Sequence, residues 1–414
     1  MSAQIIYPSA VRGELKVPSS KSMAQRALVA AMLAEGESVI DGFTPGSDAL
    51  AALSVVRRLV TSVHQQDGMI RVQGSVKVEP TQLFCGESGL LARLLVPISA
   101  AKGWQVVLTG EGSLLNRPFG FVADTLKNMG VRCATSGGFL PLQVEGVLQG
   151  GSYEVDGSPS SQLVSGLLMA LPLCTNDSVL KVSSLASQPY VAMTLALLRD
   201  FGIHIESEDY KLFAIKGQQK YIPCSYTVEG DWSAASNFLV AAAVGGSVTL
   251  TGLNTPSLQA DRAIVDVLKL CGAKISVSTN AIMVEKNELV PFEFDATHSP
   301  DLFPPLATLA ASCKGTSKIK GVGRLAHKES NRAATLQQEF GRLGVVIELV
   351  DDYMLVHGST AHGGTVYAHN DHRIAMALAV TALNADGAVT INGVESVEKS
   401  YPLFFNDLRS TIIT

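Results

Sequence analysis

The chain has 414 residues, 47% hydrophobic and only 17% charged, against a usual charged share of about 25%, which excludes an intrinsically disordered protein. A net charge of −5 argues against a general nucleic-acid binder. No run approaches the ~18 apolar residues of a membrane span, and Arg12, Glu14 and Lys16 interrupt the region where a signal peptide needs apolar sequence. The expectation is therefore a soluble, cytoplasmic protein of two or three domains, at about 150 residues per domain.

In chain order, a strand pattern over residues 4–17 is followed by an Ala- and Leu-rich stretch, SMAQRALVAAMLA, that is apolar on every face. A helix of that kind is a buried one. An amphipathic helix at 49–60 comes next, then two alternating runs around a turn, the pattern of a β-hairpin, ending at Gly74. The same succession returns along the chain. Buried helices are predicted to start at Lys21, Glu87, Ser160, Asp231, Pro300 and Asp371. Amphipathic helices are predicted at 49–60, 121–129, 191–201, 263–271, 333–343 and 403–412. Hairpins end at Gly74, Gly146, Gly217, Lys286 and Gly358, at intervals of 69 to 72 residues.

A repeat of this length with buried helices fits neither a solenoid of 20–45-residue units nor a doubly wound parallel sheet, which carries no recurrent hairpin. It predicts an α/β (α+β) fold of two globular domains, each built from three strand–helix–strand–helix–hairpin units. The sixth copy stops after its outer helix, so its missing strands are expected from residues 4–17. That closure divides the chain into 1–18 plus 229–414 and 19–228.

The six cysteines are scattered without a C-x-x-C pair, as expected of reduced core thiols. His357, His362, His369 and His372 cluster loosely but lack H-x-x-x-H spacing, so no metal is expected. There is no P-loop and no G-x-S-x-G elbow. Gly321-x-Gly323-x-x-Ala326 imitates a dinucleotide fingerprint, but a charged segment follows it where an apolar helix should open. No cofactor is expected.

The unusual chemistry lies at the starts of the buried helices. Ser, Asp and Asn there are ordinary caps, but Lys21, Arg26, Arg93 and Arg373 sit in or beside apolar helices. Ser22 shares a face with Arg26, and Gly89 with Arg93, four residues apart. A buried cation needs a partner, supplied either by internal carboxylates or by an anionic ligand at the positive helix ends. Asn116-Arg117-Pro118 and Glu398-Lys399 place further cations before outer helices. Lys328 and Arg332 are like charges at i, i+4, which either form a solvated charged face or are reconciled by an anion between them.

Together these residues resemble the EPSP synthases (3-phosphoshikimate 1-carboxyvinyltransferases) of the enolpyruvyl transferase family. The similarity runs nearly end to end: Lys21-Ser22 with Arg26, Gly89 with Arg93, Asn116-Arg117-Pro118, Ser160-Ser161-Gln162, Ser187 to Tyr190, Glu229-Gly230-Asp231, Asp301, Lys328-Glu329 with Arg332, Asn370 to Arg373, and Lys399. Departures are Leu90, Leu94, Arg324 and the segment Cys85-Gly86-Glu87-Ser88. The resemblance implies three βαβαββ units per domain, a two-strand hinge and a site in the interdomain cleft.

It also implies two ligands. Lys21, Ser22, Arg26, Ser160, Ser161, Gln162, Ser187, Asp301, Arg324 and Lys328 would hold shikimate 3-phosphate. Lys21, Gly89, Arg117, Gln162, Arg332, Arg373 and Lys399 would hold phosphoenolpyruvate. Asp301 is the expected base, with Glu329 and Lys21 assisting proton transfer and charge stabilisation. A monomer is expected. The alternatives are the sister enzyme that acts on UDP-N-acetylglucosamine, which usually carries Lys-Asn where this chain has Lys21-Ser22, and a non-catalytic anion-binding scaffold.

Overall fold

The structure is a computed structural model describing residues 2–76, 79–326 and 328–413. It divides into two compact units. One spans Ser19–Val228; the other takes the chain up to Pro18 and from Glu229 onward.

In the Ser19–Val228 unit, helices α1 (Lys21–Leu33) and α2 (Ser47–Leu59) belong to the first copy, α3 (Gly89–Ala101) and α4 (Gly120–Asn128) to the second, and α5 (Ser161–Ala170) and α6 (Gln188–Asp200) to the third. The odd-numbered helices form the interior. Every residue of α1 from Met23 onward is buried, as an apolar surface without a polar face requires. Each copy also carries a four-stranded sheet. In the second, Gln82–Phe84 runs parallel to Val106–Thr109, and the hairpin Arg132–Ser136 with Phe139–Glu145 adds antiparallel. Phe139–Glu145 alternates strictly between exposed and buried positions, so each sheet turns one face to the core.

The other unit repeats this plan with α7 (Trp232–Gly245), α8 (Ile264–Leu270), α9 (Phe303–Ala311), α10 (Arg332–Arg342), α11 (His372–Ala382) and α12 (Phe404–Thr411). Each unit has its own apolar core. All six cysteines are free thiols.

One expectation is corrected. Residues 4–17 do not both complete the sixth copy. Ala3–Ile6 does so, pairing antiparallel with Val389–Asn392 in a sheet of three strands. Val11–Lys16 instead runs parallel to Gly246–Thr251, in the sheet of α7 and α8. Its counterpart Ser225–Thr227 runs parallel to Glu37–Asp41, in the sheet of α1 and α2. The strand that precedes α1 in sequence therefore serves α7's sheet, and the strand that precedes α7 serves α1's. Pro8 lies between the two N-terminal strands; lacking an N–H, it suits a break in pairing.

Candidate active site: two clusters of cations at helix starts

In the Ser19–Val228 unit, the first turn of α1 carries Lys21, whose Nζ lies 2.9 Å from Asp48 Oδ2 in the first turn of α2. One turn on, Arg26 is 1% exposed. It donates from Nε to Thr194 Oγ1 (2.8 Å), from Nη1 to the Ser22 carbonyl (3.0 Å) and from Nη2 to the Tyr190 carbonyl (3.4 Å). These acceptors are all neutral. Burial therefore pulls the guanidinium down to about 10, opposed by Tyr190 and Tyr226. A buried cation without a carboxylate is costly, and an incoming anion would relieve it.

At the start of α3, Ser88 Oγ accepts from Leu91 N–H and donates to Gln25 Oε1. Arg93 then reaches back, donating to the Gly89 carbonyl (3.4 Å), Gln162 Oε1 (2.8 Å) and the Pro118 carbonyl (3.0 Å). Its guanidinium also stacks 4.7 Å from the Phe119 ring centre. Arg117 enters from the loop after the turn Gly112–Asn116, which Glu87 anchors by accepting from the Ser113 N–H and hydroxyl, both at 2.7 Å. A Cβ added at Gly89 would lie 2.5 Å from Arg117 Nη1 and 2.8 Å from Arg93 Nη1. Two guanidiniums thus crowd the bare Cα at a positive helix end. Arg117 Nε is buried without a hydrogen-bond partner. Such a constellation can hold an anion.

The start of α5 contributes Ser160, which caps Gln162 N–H at 3.2 Å, and the buried Ser161. Ser187 precedes α6 in a left-handed conformation (φ +58) and makes no cap bond; such a conformation costs a non-glycine residue about 1–3 kcal/mol.

In the other unit Asp301 is the hub. It lies in the turn Pro300–Leu302 before α9, with Oδ1 2.8 Å from Arg332 Nη1 and 3.3 Å from Lys328 Nζ, and Oδ2 2.9 Å from Arg373 Nη2. Burial would raise this carboxyl, but Arg373, Lys328 and Arg332 hold it well below the ordinary carboxylate range. Arg332 is fully buried. Besides Asp301 it bonds Glu329 Oε2 (2.7 Å) and Asp371 Oδ2 (3.0 Å). Asp371 also caps α11 through Arg373 N–H (3.0 Å) and accepts from Ser330 (3.1 Å). Lys399 is buried and donates to the Asn370 carbonyl at 3.3 Å. That carbonyl is presented by a turn whose His369 and Asn370 have φ near +50, with His369 Nε2 2.8 Å from the buried Glu339.

Residues 6–408 match the family model described as EPSP synthase (3-phosphoshikimate 1-carboxyvinyltransferase). The chain belongs to the EPSP synthase family. Proteins named 3-phosphoshikimate 1-carboxyvinyltransferase from Clostridium kluyveri and Clostridium acetobutylicum are each 37% identical to it, covering 98% of this chain and 96% of their own length. The solved EPSP synthase of Acinetobacter baumannii superposes with a TM-score of 0.84 at 27% identity, over 100% of this chain and 99% of its own. The enolpyruvyl transferase NikO of Streptomyces tendae, at 18% identity and a TM-score of 0.78 over 98% of this chain and 96% of its own, shares the fold.

The EPSP synthase motifs are divided between the two units. Lys21, Ser22, Arg26, Gly89, Arg117, Ser160, Ser161, Gln162 and Ser187 lie in one unit; Asp301, Arg324, Lys328, Glu329, Arg332, Arg373 and Lys399 lie in the other. Arg324 is half-buried in the turn Val322–Arg324. Leu90 and Leu94 are packed inward.

The sequence reasoning missed the partners. The anion expected between Lys328 and Arg332 is supplied within the chain by Asp301, which bonds both. Asp48, Thr194 and Asp371 each orient a cation without having been singled out for it. For Asp48 and Asp371 the available signal was an acidic residue at a helix start. For Thr194, in the middle of α6, there was none.

Proposed function

We propose that the chain transfers the enolpyruvyl group of phosphoenolpyruvate to the 5-hydroxyl of shikimate 3-phosphate and releases phosphate. The observation that carries this reading is the pair of guanidiniums, Arg93 and Arg117, converging on Gly89 at the start of α3. They match a small ligand with phosphate and carboxylate groups. Family membership supplies the substrate pair.

Arg117, Arg332, Arg373 and Lys399, with Gly89 leaving room, would hold phosphoenolpyruvate. Ser22, Arg26, Ser160, Ser161, Ser187, Arg324 and Lys328 would hold shikimate 3-phosphate, with Lys21 and Gln162 serving both ligands. In the addition step the 5-hydroxyl loses its proton and its oxygen bonds C2, while C3 gains a proton. In the elimination step C3 gives up a proton as the C2–O bond to phosphate breaks. The proton lost by the hydroxyl leaves, in the balance, with phosphate.

Asp301 is assigned as the base. Tied to three cations, it is too weakly basic to accept the hydroxyl proton. Once substrate oxygens draw those cations off, its affinity for a proton rises. The ligands would thus switch on their own base. Glu329, bonded to Arg332 in the same network, is assigned to proton transfer at C3 with Lys21. Preorganised cations would supply much of the rate. The reading includes a cytoplasmic monomer, whose oligomeric state sedimentation tests.

The deciding experiment is phosphate release from phosphoenolpyruvate with and without shikimate 3-phosphate. Release that requires both supports the reading, and release only with UDP-N-acetylglucosamine replaces it. Asp301→Asn is expected to cut turnover far more than it weakens shikimate 3-phosphate binding.

A further inference from the structure

Asp261 belongs to no motif of the sequence analysis. It lies in the turn Ala260–Ala263 that leads into α8, is 4% exposed, and its Oδ1 has no hydrogen-bond partner. The backbone around it is pinned: Gln259 donates to the Gly230 carbonyl (2.8 Å) and accepts from Trp232 N–H (3.1 Å).

The charges that face it come from the starts of all three buried helices of its unit. Asp231 caps α7, Asp301 precedes α9 and Arg373 opens α11, with Ser233 of α7 alongside. On its own side, Arg262 is exposed and turns its Nε to the Thr255 carbonyl, while Asp266 and Lys269 of α8 are exposed. Among the described residues, the cation that acts most on Asp261 is Arg373, which already bonds Asp301 at 2.9 Å. A buried carboxylate in that position is poorly compensated. Burial first, then repulsion from Asp301 and, more weakly, Asp231, push it up to about 7, against the pull of Arg373 and of the Ser233 hydroxyl.

We propose that Asp261 is a positioning residue that couples proton uptake to anion binding at Arg373. The inference rests on the reading that Arg373 receives phosphoenolpyruvate. An anion arriving there diverts the cation's attraction from Asp261 and adds a negative neighbour. Both changes favour the neutral carboxylic acid, so one proton from solvent settles on an Asp261 carboxyl oxygen as the ligand binds. No bond to the ligand forms. By linkage, affinity for phosphoenolpyruvate then falls as pH rises past the midpoint, by at most tenfold per pH unit for one proton.

The test is the pH dependence of KM for phosphoenolpyruvate, from pH 6.5 to 8.5 at saturating shikimate 3-phosphate, in the wild type and in Asp261→Asn, whose amide is neutral throughout. The titration of the ligand's own phosphate is common to both proteins and cancels in the ratio. The ratio of wild-type to variant KM is expected to rise about 5- to 10-fold over this range, while the ratio of kcat values does not follow it. A merely structural loss shifts the ratio equally at every pH, and a flat ratio overturns the inference. If the asparagine variant does not fold, Asp261→Glu is expected to keep the rise of KM with pH, and a glutamate variant without that rise overturns it equally. A wild type that releases no phosphate from the substrate pair refutes the proposed function instead, and this inference falls with it.

Discussion

Gly89→Ala probes the anion cradle without touching a charge. Gly89 is the first residue of α3 and has no positive φ, so alanine meets no backbone strain and gains up to about 1 kcal/mol of helix propensity. The obstacle is local. The new methyl would sit 2.5 Å from Arg117 Nη1 and 2.8 Å from Arg93 Nη1. Ordinary contact lies near 3.5 Å, so the Arg117 guanidinium must retreat by roughly 1 Å. Arg93, held by Gln162 and Pro118 at 2.8 and 3.0 Å, has less room to give. Crowding of this kind costs about 1–3 kcal/mol, which the helix gain partly offsets, so stability should change by no more than about 2 kcal/mol. Function should suffer more, because a misplacement of about 1 Å can cost 100-fold. KM for phosphoenolpyruvate should rise about 10- to 100-fold, while affinity for shikimate 3-phosphate, held by other residues, should change little. Steady-state phosphate release, paired with calorimetry for the shikimate ligand, measures both. An unchanged KM for phosphoenolpyruvate, or an equal loss for both ligands, would refute the assignment of this helix start.

Arg332→Met leaves Asp371 buried without its main partner, and urea unfolding should show a loss of about 3–5 kcal/mol. Adding Asp371→Asn should recover part of that loss; strictly additive effects would contradict the pairing. Arg26→Leu leaves no carboxylate behind, so it should cost less stability than Arg332→Met while raising KM for shikimate 3-phosphate, and comparable destabilisation would count against the account of Arg26. Lys21→Met should abolish turnover even at saturating substrates, as single-turnover assays would record. In unfolding series against pH, two carboxyls act with opposite signs. Asp301, held low, contributes stability above the unfolded carboxyl value near 4 that is lost as pH falls through its folded value, so Asp301→Asn should flatten the acid limb. Asp261, raised to about 7, costs stability progressively between pH ~4 and 7, so Asp261→Asn should gain more at pH 8 than at pH 5.

Much of the molecule was written in periodicity. The six all-apolar stretches could be nothing but interior helices, and their predicted starts lie within three residues of the observed ones, because burial of a whole helical surface is a property of the local sequence. The hairpins were equally legible, each being a contact between neighbours in the chain. The cations at the helix starts stood out because apolar surroundings made them anomalous.

What the sequence could not show was decided across distance. Val11–Lys16 and Ser225–Thr227 are ordinary short strands, and nothing in either says that it leaves the helix it precedes to pair with a strand more than 180 residues away. A lone strand has hydrogen-bonding edges but no preference for a partner; the surrounding packing supplies the choice. The same holds for charge. Asp301, Asp371 and Asp261 are all acidic residues near helix starts, yet one ties together three cations, one is buried against Arg332 and one is left without a partner for Oδ1. Protonation depends on which groups are brought together and on how much water remains, and only the folded arrangement of α7, α9 and α11 sets both.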